Sequence, residues 1–307
     1  MIERGAGGGD PAASGEPVLA AHEYGKAGVR LAKLRRDVPG GHEIIDLDVE
    51  LRLQGRFSEA YTRGDNSLVI ATDSCKNALC VLADEHPLDA IEPFARHAAT
   101  HFVERYAQVG RVEIEIQQRT WSRVQLGGRP HPTAFIGGEE RATCRVALDR
   151  DRGLEVASGL EGLSLLRSAG SSFEGFSRDA YRTLPDERDR ILATTVHAHW
   201  IHADPTAHVD WNAQRTSIRD ALIEAFCVPA SPSLQHTLYA MGRAALAACE
   251  AIRSIELVLP NHHYTRVDLT RFGRSPDAEV FEPLAAPRGR VAGRLERAGP
   301  ARSGHEP

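Results

Sequence analysis

Between two loose ends, the chain runs through the same order of elements twice. Residues 28–37 (GVRLAKLRRD) and 42–53 (HEIIDLDVELRL) alternate apolar and polar positions around Gly40-Gly41, which marks a β-hairpin. Two helices are expected next, from about Ser74 to Asp84 and from about Pro87 to Gln108. In the second, Ile91, Phe94, Ala98, Phe102 and Tyr106 recur every three or four residues as one stripe for burial. Pro87 suits a first-turn position, and Pro93 is expected to kink this helix. Residues 111–121 then set Val112, Ile114 and Ile116 against Glu113, Glu115 and Gln117, a half-buried strand, with 141–150 as its antiparallel partner.

The second half repeats the order. LEVASGLEGLSLLRS and ILATTVHAHWIHA read as strands separated by a long irregular segment. A helix over about Ala213 to Phe226 carries Ile218, Leu222 and Phe226 on one face. A second, from about Ser233 to Ser254, carries Leu238, Met241, Ala245, Cys249 and Ile252. IELVL and HYTRVDL close the unit as strands. Strand, strand, helix, helix, strand, strand, written twice, specifies an α+β chain of two similar antiparallel sheets, each backed by a helix pair. The expected boundaries are a disordered tail over 1–19, repeats over 20–152 and 153–283, and a flexible tail over 284–307. Open sheets of this kind are expected to pair across subunits, because long bare edges invite aggregation.

Composition narrows the function. A net charge of −5 argues against a nucleic-acid groove, since phosphate binding wants a basic surface. The five cysteines are scattered, none in CxxC spacing, so neither a zinc site nor a redox motif is indicated. The first residues lack the apolar core of a secretion signal, no apolar run is long enough to span a membrane, and the ending GHEP is not a peroxisomal signal. A cytoplasmic protein is expected.

Five segments invite chemistry, and each has a plainer reading. Lys26 in EYGKAGVR is a solvated lysine at a strand start, or an amine that exchanges protons once partly desolvated. In IATDSCKNAL, Thr72, Asp73 or Ser74 caps a helix, and that helix start is also a ready anion site. Phe173, Phe176, Arg178, Tyr181 and Arg190 suit packing and surface charge; they also suit a flat anionic heterocycle. Gln235, in the first turn of a helix capped by Ser231 or Ser233, is a capping partner or a ligand for an amide edge. LVLPNHHYTRVDL breaks a strand at Asn261, His262 and His263, which suit a metal, a proton shuttle or a turn. His197 and His199 share a sheet face without a supporting third ligand, so a polar face or subunit contact is expected there rather than a metal.

Together these segments resemble the urate oxidase (uricase) family. The matching pieces are Tyr24-Gly25-Lys26 with Val29-Arg30, and Ala71-Thr72-Asp73-Ser74 with Lys76-Asn77. Phe173-x-Gly-Phe176 follows, leading to Arg-Asp-x-Tyr181 and Asp189-Arg190-Ile191-Leu192. Ser233-Leu-Gln235 with Thr237-x-Tyr239, then Leu259-Pro-Asn261-x-His263-Tyr264 with Asp268-Leu269, complete the set over roughly residues 22–283. The resemblance implies the tunnelling fold (T-fold), in two tandem repeats, as a homotetramer around a β-tunnel with active sites between subunits. It implies that Arg190 and Gln235 grip urate from opposite sides of its plane and that Phe173 stacks on the purine. The backbones of Asp73 and Leu234 would contact the rim, with Leu234 standing where a valine is often found. Thr72 and Asn261 would hold dioxygen or the attacking water, and Lys26, Thr72 and His263 would form a proton relay. His262 occupies a family lysine position and faces away as a bystander. No metal or flavin cofactor is implied, and the products would be 5-hydroxyisourate and hydrogen peroxide. Two rivals share the fold: a zinc-dependent pterin- or GTP-processing enzyme, and a non-catalytic purine binder.

Overall fold

The computed structural model describes residues 17–228, 231–275 and 279–298. Of the two expected tails, residues 1–16 and 299–307 lie outside the described residues. The first repeat contains β1 (Tyr24–Arg35), β2 (Glu43–Gly55), a short α1 (Ser58–Thr62), α2 (Thr72–Glu85), α3 (Ile91–Arg105), β3 (Val109–Leu126) and β4 (Arg129–Asp149). The second contains β5 (Gly153–Arg167), β6 (Leu192–His202), α4 (Trp211–Cys227), α5 (Leu234–Ala248), β7 (Ile252–His262), β8 (Tyr264–Arg266), β9 (Phe281–Pro283) and β10 (Gly289–Glu296).

The two expected sheets are one. An eight-stranded antiparallel sheet runs β1-β2-β3-β4-β5-β6-β7-β10, and the β4–β5 pairing welds the repeats. Strand alternation sends one side of each strand toward the helices. Leu47, Val49, Leu51 and Leu53 of β2 are almost fully buried, in one cluster with Phe94, Ala98 and Phe102 of α3. Val196, Ala198 and Trp200 of β6 and Leu257 and Leu259 of β7 form a second cluster with Ile218, Leu222, Met241 and Ala245.

A buried polar knot crosses between the halves. Glu92 of α3 accepts from Arg215 of α4 and from Ser158 Oγ of β5 at 2.6 Å, and Ser158 meets His202 Nε2 of β6 at 2.9 Å. Burial first, and the Arg215 charge second, push the His202 imidazole down to about 4. Ser158 gives its single proton to Glu92, so His202 Nε2–H is the donor to Ser158.

Several local expectations change. Helix α3 begins at Ile91, so Pro93 falls in its first turn, where a missing N–H costs no intrahelical bond and forces no kink. Helix α5 stops at Ala248 and Ile252 belongs to β7; Arg297 donates to the carbonyls of Leu246, Cys249 and Ile252 where helix gives way to strand. The HYTRVDL stretch does not continue the large sheet, since Tyr264–Arg266 pairs only with β9. Its place beside β7 is taken by β10, within the stretch expected to be a flexible tail. There Val291 and Leu295 pack on the second core. Gly242 of α5 leaves room for that packing, since a Cβ on it would stand 2.7 Å from a Leu295 methyl.

Candidate active site

The first group of candidate residues gathers at the β1 edge. Gly25 lets β1 approach β2 closely, because a Cβ there would sit 1.8 Å from the Leu51 carbonyl oxygen. A one-residue bulge follows between Lys26 and Val29, with Gly28 at φ 66°. Lys26 lies directly opposite the buried Leu51 and therefore points to the helix side of the sheet. Burial pushes the Cys75 thiol up to about 11, and the Lys26 ammonium stands near enough to oppose that rise. Tyr24 Oη accepts from the Ile70 N–H at 2.8 Å, which ties the approach to α2 against β1.

Thr72 and Asp73 are the first two residues of α2. The expected side-chain cap is absent: Ala71 is the N-cap, and no side chain bonds to the cap position. The first-turn N–H groups, which have no partner within a helix, are left available to a ligand. The Asp73 carboxylate is exposed, accepting from Asn77 Nδ2 at 3.1 Å with Lys76 Nζ at 3.9 Å.

The second group is assembled by short backbone bridges. Ser171 pairs with Ser231, and the Arg190 N–H donates to the Ser171 carbonyl at 2.8 Å. Phe173 and Glu187 exchange two backbone bonds of 2.7 and 3.0 Å. These links bring Phe173 and Arg190 to the start of α5, where Ser233 Oγ accepts from the His236 N–H at 3.1 Å and caps the helix. Leu234 is then buried, while Gln235 in the first turn is exposed. The Phe173 and Phe176 rings stack with centres 4.8 Å apart. The Arg190 guanidinium carbon lies 5.1 Å from the Phe173 ring centre. Burial lowers the Arg190 pKa, only partly opposed by Glu187, and Arg190 Nε is buried with no hydrogen-bond partner among the described residues.

The break after β7 has two sides. Asn261 lies between Thr194 of β6 and Gly289 of β10. A Cβ on Gly289 would meet Asn261 Cβ at 3.4 Å, Asn261 Nδ2 at 3.9 Å and His263 Nε2 at 3.9 Å, so Asn261 and His263 project together. His262 points to the other face, where its Nε2 meets Thr195 Oγ1 at 2.9 Å. Burial, and then the neighbouring charges of Arg288 and His263, lower the His262 pKa. On that same outer face His199 Nε2 stands 3.5 Å from Glu161, whose carboxyl His199 holds below its usual range against burial. Among the described residues, no three His, Cys, Asp or Glu side chains are grouped to hold a metal.

Lys26, Thr72 and Asp73 are thus brought together, as are Phe173, Arg190, Leu234 and Gln235, with Asn261 and His263 at the far end of the same sheet. The two halves are not joined: β1 is one edge strand of the sheet, while β6 and β7 lie next to the other edge. The uricase family model matches residues 22–147 and 156–292, nearly all of both repeats. The chain belongs to the uricase family.

Relatives align over most of their length. The uricase of Arthrobacter globiformis is 39% identical over 284 residues, covering 92% of this chain and 91% of that one. The uricase of Aspergillus flavus is 34% identical over 284 residues, covering 88% and 94%. The crystal structure of the Arthrobacter globiformis uricase superposes with a TM-score of 0.87 at 38% identity, covering 93% of this chain and 97% of that one. The fold is therefore the two-repeat T-fold of the uricase family. Reading the sequence missed the scaffold of the site, namely the Ser171–Ser231 bridge and Gly289. Only the paired serines flanking the aromatic segment and the first turn of α5 signalled the former.

Proposed function

We propose that the chain is a cofactor-independent urate oxidase that converts urate, dioxygen and water to 5-hydroxyisourate and hydrogen peroxide. The observation that carries this reading is the unpaired Arg190. A half-buried guanidinium with a free Nε, stacked beside an aromatic ring and lacking a carboxylate partner among the described residues, suits a flat anion. Gln235 offers both an acceptor and donors to the opposite edge of the purine, and the backbones of Asp73 and Leu234 border it. Thr72 and Asn261 hold dioxygen or the attacking water above the ring. Lys26, Thr72 and His263 move protons away from urate and water. The urate anion is electron-rich enough to reduce dioxygen once its charge is held and its protons are removed, so no metal or flavin enters the scheme.

The site is completed by a second copy of the chain, within a homotetramer whose sheets close a β-tunnel. Five to six strand spacings separate β1 from β6 and β7. At about 4.8 Å per strand that is roughly 25–30 Å along the sheet, too far for Lys26 and Thr72 to serve their own chain's Arg190. The exposed edge strands β1 and β10 are available for such pairing. A cytoplasmic setting fits five free cysteines, and no helix among the described residues is long and apolar enough to cross a membrane.

The test is direct. Purified protein in aerated buffer, with no added cofactor, should consume urate and release hydrogen peroxide in equal amounts. Consumption that requires added metal or flavin, or none at all, overturns the proposal.

A further inference from the structure

Thr194 has a buried hydroxyl that the scheme above leaves idle. It is 1% exposed, and its Oγ1 has no hydrogen-bond partner among the described residues. Its neighbour Thr195, on the opposite face, is satisfied by His262 Nε2 at 2.9 Å and by Ser164 Oγ at 3.4 Å. An unpaired buried hydroxyl is costly, and most find a partner. Thr194 lies in register with Asn261, in one cross-strand row that continues to Gly289. Directly opposed residues share a face, with Cβ atoms about 4.5–5.5 Å apart, so the hydroxyl reaches the carboxamide by side-chain rotation alone. No hydrogen bond of the Asn261 side chain competes for it among the described residues, and Gly289, lacking a side chain, leaves the third position of the row open.

We infer that Thr194 is a positioning residue for Asn261, fixing the carboxamide that holds dioxygen or water when urate is bound. The inference rests on the proposed role of Asn261. A hydroxyl both donates and accepts, so it can hold either end of the amide and thereby decide which end faces the small co-substrate. Thr194 acts through Asn261 rather than through the purine-gripping pair at Arg190 and Gln235, so its contribution lies in the oxygen step.

Three variants test this: Thr194→Val, nearly equal in shape and without the hydroxyl; Thr194→Ser, which restores it; and Asn261→Ala. Initial rates are measured against urate and, separately, against dissolved oxygen. Thr194→Val should lower kcat about tenfold, the worth of one hydrogen bond, and raise the KM for oxygen. Its KM for urate should stay within about twofold, and its Tm should hold or rise because an unpaired polar group is gone. Thr194→Ser should recover most of the loss. A structural role alone would lower Tm and leave the oxygen KM unmoved, and that result overturns the inference. So does a Thr194→Val enzyme with normal oxygen kinetics beside a crippled Asn261→Ala. If Asn261→Ala itself has normal oxygen kinetics, the assignment of Asn261 falls, and this inference with it. Should the valine variant misfold, Thr194→Ala makes the same comparison.

Discussion

The Arg190 guanidinium carbon stands 5.1 Å from the centre of the Phe173 ring, and backbone bonds from Ser171 and Glu187 hold both residues in place. The aromatic face and the cation are therefore set before any ligand arrives. Burial depresses the arginine's pKa, and among the described residues no carboxylate lies within ion-pair distance of it. Holding a cation this way costs stability, so its retention points to an anionic ligand that repays the burial.

Arg190→Ala should therefore weaken urate binding by about 2–5 kcal/mol, the usual cost of deleting one partner of a desolvated charge pair. The fold should be unharmed, with an unchanged or slightly raised Tm, because Arg190 forms no internal ion pair. Calorimetric titration with urate under anaerobic conditions, beside a thermal melt, checks both. Unchanged affinity would remove Arg190 from the site.

The division of the site between opposite ends of one sheet leads to a complementation experiment. Lys26→Ala and Arg190→Ala proteins should each be inactive. Refolded together, they should regain part of the activity, because some interfaces would pair an intact Lys26 with an intact Arg190. Hybrids verified by mass spectrometry yet lacking activity would place both residues in one chain's site.

Much of this arrangement was legible in the sequence. The alternation at Val112, Ile114 and Ile116 and the stripe at Ile91, Phe94, Ala98 and Phe102 identify strand and helix because burial is periodic there. The long-range pairings were not legible. Residues 289–296 read as a loose tail because Gly and Arg dilute the alternation of Val291 and Leu295, and only the groove at Gly242 and Leu238 gives that strand somewhere to pack. Likewise Pro93 reads as a kink until the helix start is known. Lys26, Thr72, Arg190 and Asn261 were reached through their motifs. Their distribution over two ends of the sheet depends on the β4–β5 weld, which no local pattern encodes.

The His202 knot predicts a pH-dependent stability. The folded state holds this imidazole at about 4, below an unfolded value of about 6.5, so the unfolded chain binds the proton first as pH falls. The contribution is whole above about pH 6.5 and is lost toward about pH 4, about 3 kcal/mol over the window. Urea midpoints taken between pH 7 and pH 4.5 should fall more steeply for the native protein than for His202→Gln, which cannot charge. Parallel slopes would mean that His202 titrates normally, despite its burial beside Arg215 and Trp211.

The relay prediction turns on which histidine faces the site. His263 shares a side with Asn261, whereas His262 is hydrogen-bonded to Thr195 on the opposite face. On the proposed reading Lys26 and Thr72 come from another copy, where Lys26 points to the helix side of β1 and Thr72 opens α2. Lys26→Met, Thr72→Ala and His263→Ala should each lower turnover by roughly 10²–10⁴-fold, the usual worth of positioned acid–base catalysis. The Lys26→Met/Thr72→Ala double variant should be little worse than either single one, since groups acting as a unit are not additive. His262→Ala should lose only its bond to Thr195 and keep nearly normal turnover. Stopped-flow turnover on the five proteins decides the matter. A crippled His262→Ala beside a normal His263→Ala would mean that protons leave through the outer face of the sheet, and additive losses at Lys26 and Thr72 would mean that the two act separately.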